Sequence, residues 1–119
     1  MEEILAILFF SREVSHREHL TTDSYAQHMA LGSFYEEVIE LADGLAEHYQ
    51  GCYQKKLGDI PYYSNSMKGT ITVILKRLKE EICDLRKQGD FKDDSAIQND
   101  LDTIETLFDQ TIYKLTFLK

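Results

Sequence analysis

Two histidines and two carboxylates, His16, His28, Asp43 and Glu47, are the residues of this chain whose types and spacing could bind a metal ion. Twelve residues separate the histidines, fifteen separate His28 from Asp43, and four separate Asp43 from Glu47. Imidazole nitrogens and carboxylate oxygens are ligands that bind divalent iron and zinc in proteins. The spacing therefore predicts a metal site, provided that the fold brings these side chains together.

The helices that must position these residues limit which of them can meet within one chain. His28 and Asp43 lie on one predicted helix, where fifteen residues place their backbones about 22 Å apart. His16 or His19 is expected to lie near His28, because the turn 20–22 is short and folds one helix back beside the next. Asp43 and Glu47, four residues apart, share one helix face. The chain thus predicts two half-sites, one of histidines and one of carboxylates.

A symmetric dimer would bring the two half-sites together. If two copies of this helix pack antiparallel about a twofold axis near Tyr35 or Glu36, each histidine half-site faces the carboxylates of the other copy. The small residues Ala30, Gly32 and Ser33 would permit a close approach of the two helices, and they fit ordinary packing within one chain equally well. We therefore expect a homodimer through this helix.

Further donors lie beside the four main candidates. His19 follows His16 by three residues, so it could replace it as a ligand or hydrogen-bond to a ligand. Glu36 belongs to an acidic stripe on the same helix as His28, a pattern that is typical of a solvated face but could supply an extra carboxylate. His48 is expected to face another direction and to be solvated.

The composition limits the class of protein. The 119 residues suffice for one domain with one core. Twenty-one acidic residues against thirteen basic ones give a net charge of −8, which disfavours nucleic-acid binding because phosphate backbones are repelled. The apolar run 4–10 follows two glutamates and is too short for a membrane span, so we expect a soluble cytoplasmic protein without a signal peptide. Cys52 and Cys83 are expected to be free thiols.

Apolar periodicity and the scarcity of helix breakers predict an all-α protein with four helices. The chain has one proline and six glycines, and Gly51, Gly58 and Gly89 lie where the helical pattern breaks. Ser24 with Gln27 has the form of a capping box, while Gly51 and Gly89 suit the ends of helices. The predicted helices span about residues 2–18, 23–50, 67–88 and 94–118 of a single domain, 1–119.

The connections between the helices predict their arrangement. Short turns after the first and third helices make each of those pairs antiparallel. The longer segment 52–66, which contains Pro61, can cross the bundle and make the second and third helices parallel. That arrangement is a ferritin-like bundle with one crossover loop, and an up-down-up-down bundle is the alternative.

The histidine segment 16–28, followed by Phe34-Tyr35-Glu36-Glu37 and then by Asp43 and Glu47, resembles the Dps-type miniferritins of the ferritin-like superfamily. It resembles small uncharacterised bacteriophage proteins related to them more closely still. In Dps-type proteins, two histidines of one subunit and an Asp and a Glu of another form a shared ferroxidase site. The resemblance therefore implies that iron is bound by His16, His28, Asp43 and Glu47.

The chain departs from the family pattern at several positions, and the motif resemblance covers only about residues 11–51. Dps-type proteins usually have a tryptophan after the first histidine and often a further Asp one turn after the second, where this chain has Arg17 and Gly32. Glu36 is the best substitute for that missing carboxylate. The lysine-bearing tail that binds DNA in some members has no counterpart before the first helix.

The resemblance implies a protein that binds Fe(II) and oxidises it with peroxide or oxygen at a site shared across a homodimer, with a larger shell where mineral is stored. The alternative is a non-enzymatic, small acidic helical protein, of viral origin in that hypothesis, that binds a protein partner and keeps the ferritin-like fold as a scaffold. A third hypothesis is a zinc site that uses His16 and His19.

Overall fold

The computed structural model describes residues 1–119, which form four α-helices and no β-strand. Helix α1 spans Glu2–Thr21, α2 spans Tyr25–Tyr53, α3 spans Ile71–Leu85 and α4 spans Ser95–Phe117. They pack into an elongated bundle of 45 × 25 × 21 Å. The expectation of an all-α four-helix bundle is therefore confirmed. None of the helices carries an apolar stretch that is long enough to cross a bilayer.

Each helix packs against two others, because α1 and α4 both contact α2 and α3. Helices α2 and α3 therefore lie diagonally across the bundle. Helices α2 and α4 are antiparallel, since His48 bonds Asp100 whereas Phe34 packs against Phe108 further along α4. Ion pairs between α3 and α4 show the same antiparallel direction for that pair. It follows that α2 and α3 run in the same direction.

One apolar cluster from all four helices forms the core. Its centre includes Phe34 of α2 and Phe108 of α4, which are fully buried and meet edge to face with ring centroids 5.0 Å apart. Burying a side chain of this size stabilises the fold by about 1.5–3 kcal/mol. The buried positions of α2 recur every three or four residues, so one side of this long helix packs inward and the other remains exposed. They are Ala30, Leu31, Phe34, Val38, Ala42, Leu45 and Tyr49.

Helix α2 is longer than its glycine predicts. It continues through Gly51 to Tyr53, and the following residue, Gln54, adopts a left-handed conformation with φ of 52°. The last turn is held by a hydrogen bond of 2.7 Å from the Tyr53 hydroxyl to Asp94, the N-cap of α4. This tertiary bond outweighs the weak helix preference of Gly51, which costs about 1 kcal/mol relative to alanine.

Helix α3 is shorter than the sequence predicts. Gly69 has a φ of 114°, and the next residue, Thr70, is the N-cap whose hydroxyl accepts a hydrogen bond from the Val73 N–H. The helix therefore starts at Ile71 rather than near residue 67. It ends at Leu85, four residues before Gly89, which has a φ of 80° in the following turn.

Side chains, rather than backbone pairing, hold the connection between α2 and α3. The side-chain oxygen of Gln50 accepts a hydrogen bond from the Leu57 N–H at 3.0 Å, and Glu2 accepts one from the Gly58 N–H at 2.8 Å. No backbone–backbone hydrogen bond forms within residues 55–69. Four apolar side chains anchor the connection against the core, namely Leu57, Ile60, Tyr63 and Met67.

Candidate functional site

Helices α1 and α2 bring three histidines together at the corner where the two helices meet. His16 and His19 lie in the last turns of α1, and His28 lies in the first turn of α2. The rings of His19 and His28 stack with centroids 3.8 Å apart and 16° between their planes. The centroids of His16 and His19 are 6.4 Å apart. The sequence predicts that His16 or His19 lies near His28, and it is the ring of His19 that stacks on His28.

The short turn between the helices is fixed by its own polar side chains. Ser24 is the N-cap of α2, and its hydroxyl accepts a hydrogen bond from the Gln27 N–H at 3.2 Å. Gln27 does not complete a capping box, because its side-chain amide donates to Glu18 of α1 at 3.2 Å. The N–H of Ser24 donates instead to the Thr22 hydroxyl. These bonds tie the two helix ends together and so set the distance between the histidines.

His19 and His28 exchange hydrogen bonds with each other's backbone. The Nδ1 of His19 lies 2.6 Å from the carbonyl oxygen of His28, and the Nδ1 of His28 lies 2.7 Å from that of His19. A carbonyl oxygen can only accept, so Nδ1 carries the proton in both rings. In the neutral imidazoles, Nε2 then keeps a free lone pair. A histidine that binds a metal through Nε2 commonly donates its Nδ1–H to a carbonyl in this way.

Tyr35, from the second turn beyond His28, completes the aromatic cluster. Its ring stacks on His16 at 4.3 Å between centroids and meets His19 edge-on at 5.3 Å. Tyr35 thus contacts two of the three histidines rather than the core alone. The four rings, of His16, His19, His28 and Tyr35, are all half-buried, and we call them the histidine corner.

The absence of a side chain at Gly32 makes room for the ring of His19. A Cβ atom built on Gly32 would lie 3.0 Å from Cε1 and 3.2 Å from Nδ1 of that ring. Any residue other than glycine would therefore crowd His19 against its stacking partner, His28. The ring of His19, from the neighbouring helix, therefore occupies the space beside Gly32.

The expected carboxylate half-site lies away from the histidine corner on the exposed side of α2. Asp43 and Glu47 are exposed, as is Glu36, and none of the three forms a hydrogen bond or an ion pair within the chain. No group of three or more His, Cys, Asp or Glu side chains in the single chain is arranged to hold a metal ion. A complete site from these residues therefore requires a second copy.

His48 differs from its expected position, since it is half-buried rather than solvated. Its Nδ1 donates to a carboxylate oxygen of Asp100 in α4 at 2.5 Å. The sequence could have indicated that His48 is partly buried, because it follows the buried Leu45 by three residues and so lies near the inward face of α2. Its bond to α4 makes it a packing contact rather than part of the histidine corner.

The groups with shifted pKa values lie far from the histidine corner, and most lie at the opposite end of the bundle. There the Tyr53 hydroxyl donates to Asp94, which raises the pKa of Tyr53 to about 12 and lowers that of Asp94. A bond from Lys55 lowers the pKa of Asp90. In α3, burial and a bond to Glu105 raise the pKa of Cys83 to about 11. These shifts arise from bonds that join helices, so they do not mark an acid–base site.

One protein-family model matches residues 19–115 of the chain, and that family is described as a family of unknown function, DUF5856. Among the curated proteins no match was found. A search of solved structures likewise found no match.

Proposed function

We propose that this chain, which belongs to the DUF5856 family, is a ferritin-like protein that binds Fe(II) at a site shared between two copies. The observation that carries the proposal is the reciprocal bonding of His19 and His28. In each of the two imidazoles, Nδ1 is fixed as a donor to a carbonyl and the Nε2 lone pair is free for a cation, as in metal-binding histidines. Because the rings are stacked with 16° between their planes, the two lone pairs do not converge on one ion.

The packing of the helices supports a ferritin-like arrangement with one crossover. Helices α2 and α3 are diagonal and run in the same direction, and the segment between them, residues 54–70, passes beside α1. Antiparallel neighbours with a parallel diagonal pair are the pattern of ferritin-like bundles, whereas an up-down-up-down bundle places α2 and α3 side by side.

A dimer through α2 supplies the carboxylates that the single chain lacks. The exposed side of α2 carries Tyr25, Met29, Glu36, Asp43 and Glu47, which are spaced almost symmetrically about Glu36. In an antiparallel pairing about that residue, the first two residues of one copy face the last two of the other. The Glu36 side chains of the two copies would meet at the axis and repel each other, so bound cations should strengthen the dimer.

His19 takes a larger part in this proposal than the resemblance alone implies. Its ring fills the space above Gly32, where Dps-type proteins often have an Asp, and its stacking and carbonyl oxygen position the ring of His28. The proposed ligands are His16 and His28 of one copy with Asp43 and Glu47 of the other, and Glu36 is available as a further donor. Iron supplies the redox chemistry as substrate, since each Fe(II) gives one electron to peroxide or oxygen, while the protein binds and positions it.

The test is anaerobic calorimetric titration with Fe(II), and separately with Zn(II), combined with sedimentation of the protein at each metal concentration. The expected result is saturable binding with a dimer fraction that rises as Fe(II) is added. Glu47→Gln should weaken binding at least tenfold. The matched control is Glu37→Gln, an exposed glutamate on another side of α2, which should bind like the wild type. Equal binding by both variants, or no saturable binding, would refute the shared site.

We propose interaction with a protein partner as the second candidate function, because exposed apolar side chains are concentrated at one end of the bundle. The C-terminal ends of α1 and α4 and the N-terminal ends of α2 and α3 meet there. Leu20, Tyr25 and Phe117 are 69%, 77% and 70% exposed. A patch of this kind is typical of an interaction surface. Seven of the nine large exposed apolar residues belong to it, namely Leu20, Tyr25, Met29, Val73, Tyr113, Phe117 and Leu118.

The second candidate is tested by binding of a fluorescent apolar dye, anilinonaphthalene sulfonate, to the folded protein. Phe117→Asp should lower the dye signal, because it places a charge inside the apolar patch. Asn99→Asp is the matched control, since it adds the same charge at an exposed position of α4 outside the patch. If the two variants lower the signal equally, the bundle end is not a distinct interaction surface.

A further inference from the structure

An apolar cleft lies between α1 and the α2–α3 connection, one to two helical turns before the histidines of α1. Its volume is about 670 Å³. This volume is within the range of about 300–1,000 Å³ that is usual for small-molecule sites. The walls include Phe9 and Phe10 of α1, Ile39 of α2, and Ile60 and Tyr62 of the connection. The cleft is therefore large enough, and apolar enough, for a small molecule with a hydrocarbon body.

The walls of the cleft are held in place without a ligand. Tyr63 stacks on Phe10 with ring centroids 4.5 Å apart, and its hydroxyl donates to Glu81 of α3. The connection is also tied down where the Gly58 N–H donates to Glu2. A preformed site loses less conformational freedom on binding than one that must be assembled.

Arg12 brings a positive charge into this apolar cleft and has no partner there. Its Nε is buried and makes no hydrogen bond, and no carboxylate lies within ion-pair distance of its guanidinium. Glu13, which also lines the cleft, is bonded to Arg17 at 2.8 Å. The two Nη groups of Arg12 also lack a partner within the chain and, unlike Nε, are not buried, so they are the donors that an anion in the cleft can reach.

We propose that this cleft binds a small amphipathic carboxylate, with the carboxylate on the guanidinium of Arg12 and the hydrocarbon body between α1 and the connection. A single guanidinium matches a carboxylate, which can accept two parallel hydrogen bonds from it. A phosphate ester carries more charge, and Arg12 is the only basic residue that lines the cleft. The proposal is independent of metal binding, because it uses none of the histidine-corner residues or the α2 carboxylates.

The probe is decanoate, titrated by calorimetry against the full chain, with decanol as a neutral analogue of the same length. The wild type should bind decanoate at least about tenfold more tightly than decanol, because only the carboxylate can satisfy Arg12. In Arg12→Gln, the affinity for decanoate should fall to that for decanol. Arg77→Gln is the matched control, since this exposed arginine of α3 forms no ion pair and lies outside the cleft.

The ligand comparison on the wild type keeps the test valid even if the variant is poorly folded. Equal affinity of the wild type for decanoate and decanol would overturn the role of the charge. Binding of decanoate that is lost equally in Arg77→Gln would also overturn the proposal, because it would indicate a general effect of surface charge. Preference for 2-naphthoate over decanoate, with the same dependence on Arg12, would support the site and indicate an aromatic body.

Discussion

Replacing Gly32 by alanine tests whether the ring of His19 is fixed above this position. Alanine normally stabilises the interior of a helix by about 1 kcal/mol relative to glycine. Here the new Cβ would lie 3.0 Å from the His19 ring, which is closer than side-chain atoms normally approach. The ring has little room to yield, because it stacks on His28 on one side and meets Tyr35 on another.

The magnitude follows from the contacts that a displaced His19 would lose. Its hydrogen bond to the His28 carbonyl contributes about 1 kcal/mol, and the ring stacking contributes about 0.5–1.5 kcal/mol. The gain in helix preference offsets about 1 kcal/mol of this loss. Gly32→Ala should therefore lower the free energy of unfolding by about 0.5–1.5 kcal/mol. Gly44→Ala is the matched control on the same helix, where a Cβ meets nothing within 4 Å, and it should raise that free energy by about 1 kcal/mol.

The assay is urea unfolding followed by the helical circular dichroism signal, with both variants compared with the wild type at the same pH. The expected difference between the two variants is about 1.5–2.5 kcal/mol. Metal titration of the same two proteins gives a second measurement, in which only Gly32→Ala should bind more weakly. If both alanine variants are stabilised equally, the ring of His19 is not confined by Gly32, His28 and Tyr35. That result would also refute the proposed role of His19 in the metal site.

Arg86→Met should lower the free energy of unfolding by about 2–3 kcal/mol, because it leaves the half-buried Glu105 without its cation; a loss below about 1 kcal/mol in urea unfolding would contradict this. Iodoacetamide at about pH 8 should modify the exposed Cys52 well before Cys83, whose pKa is raised to about 11 by burial and by its bond to Glu105. Mass spectrometry of the native protein would show this, and equal rates would refute it. A tyrosine hydroxyl and the first N–H groups of α4 lower the pKa of Asp94. Its contribution to stability is present above its ordinary pKa of 3.8 and is lost as the pH falls through the lowered value. The difference in stability between the wild type and Asp94→Asn should therefore shrink between about pH 7 and about pH 3, and an unchanged difference would argue against the shift.

Most of the fold follows from local patterns in the sequence. The apolar spacing of α2 predicts its buried face, and Ser24 and Asp94 are the N-caps that local helix chemistry predicts. The glycine at position 51 does not mark the end of α2, because the bond from Tyr53 to the N-cap of α4 stabilises the helix beyond it. Such a bond joins residues that are distant in sequence, so no local rule could reveal it.

The candidate site could be predicted only in part. The short turn brings His16, His19 and His28 together as expected, because turn length alone decides that proximity. The exchange of hydrogen bonds between His19 and His28 depends on ring orientation, which spacing does not fix. The cleft beside Arg12 could not be foreseen either, since it depends on where the α2–α3 connection packs.

The most direct test of the shared site is to mix two inactive variants. His28→Ala lacks a histidine ligand and Glu47→Ala lacks a carboxylate, so each variant dimer would have two damaged sites. If the site is shared between copies, a mixed dimer contains one intact site, and random mixing should restore about a quarter of the wild-type Fe(II) sites. Fe(II) titration of the re-equilibrated mixture measures this. Recovery of no sites, with dimers present by sedimentation, would contradict the account.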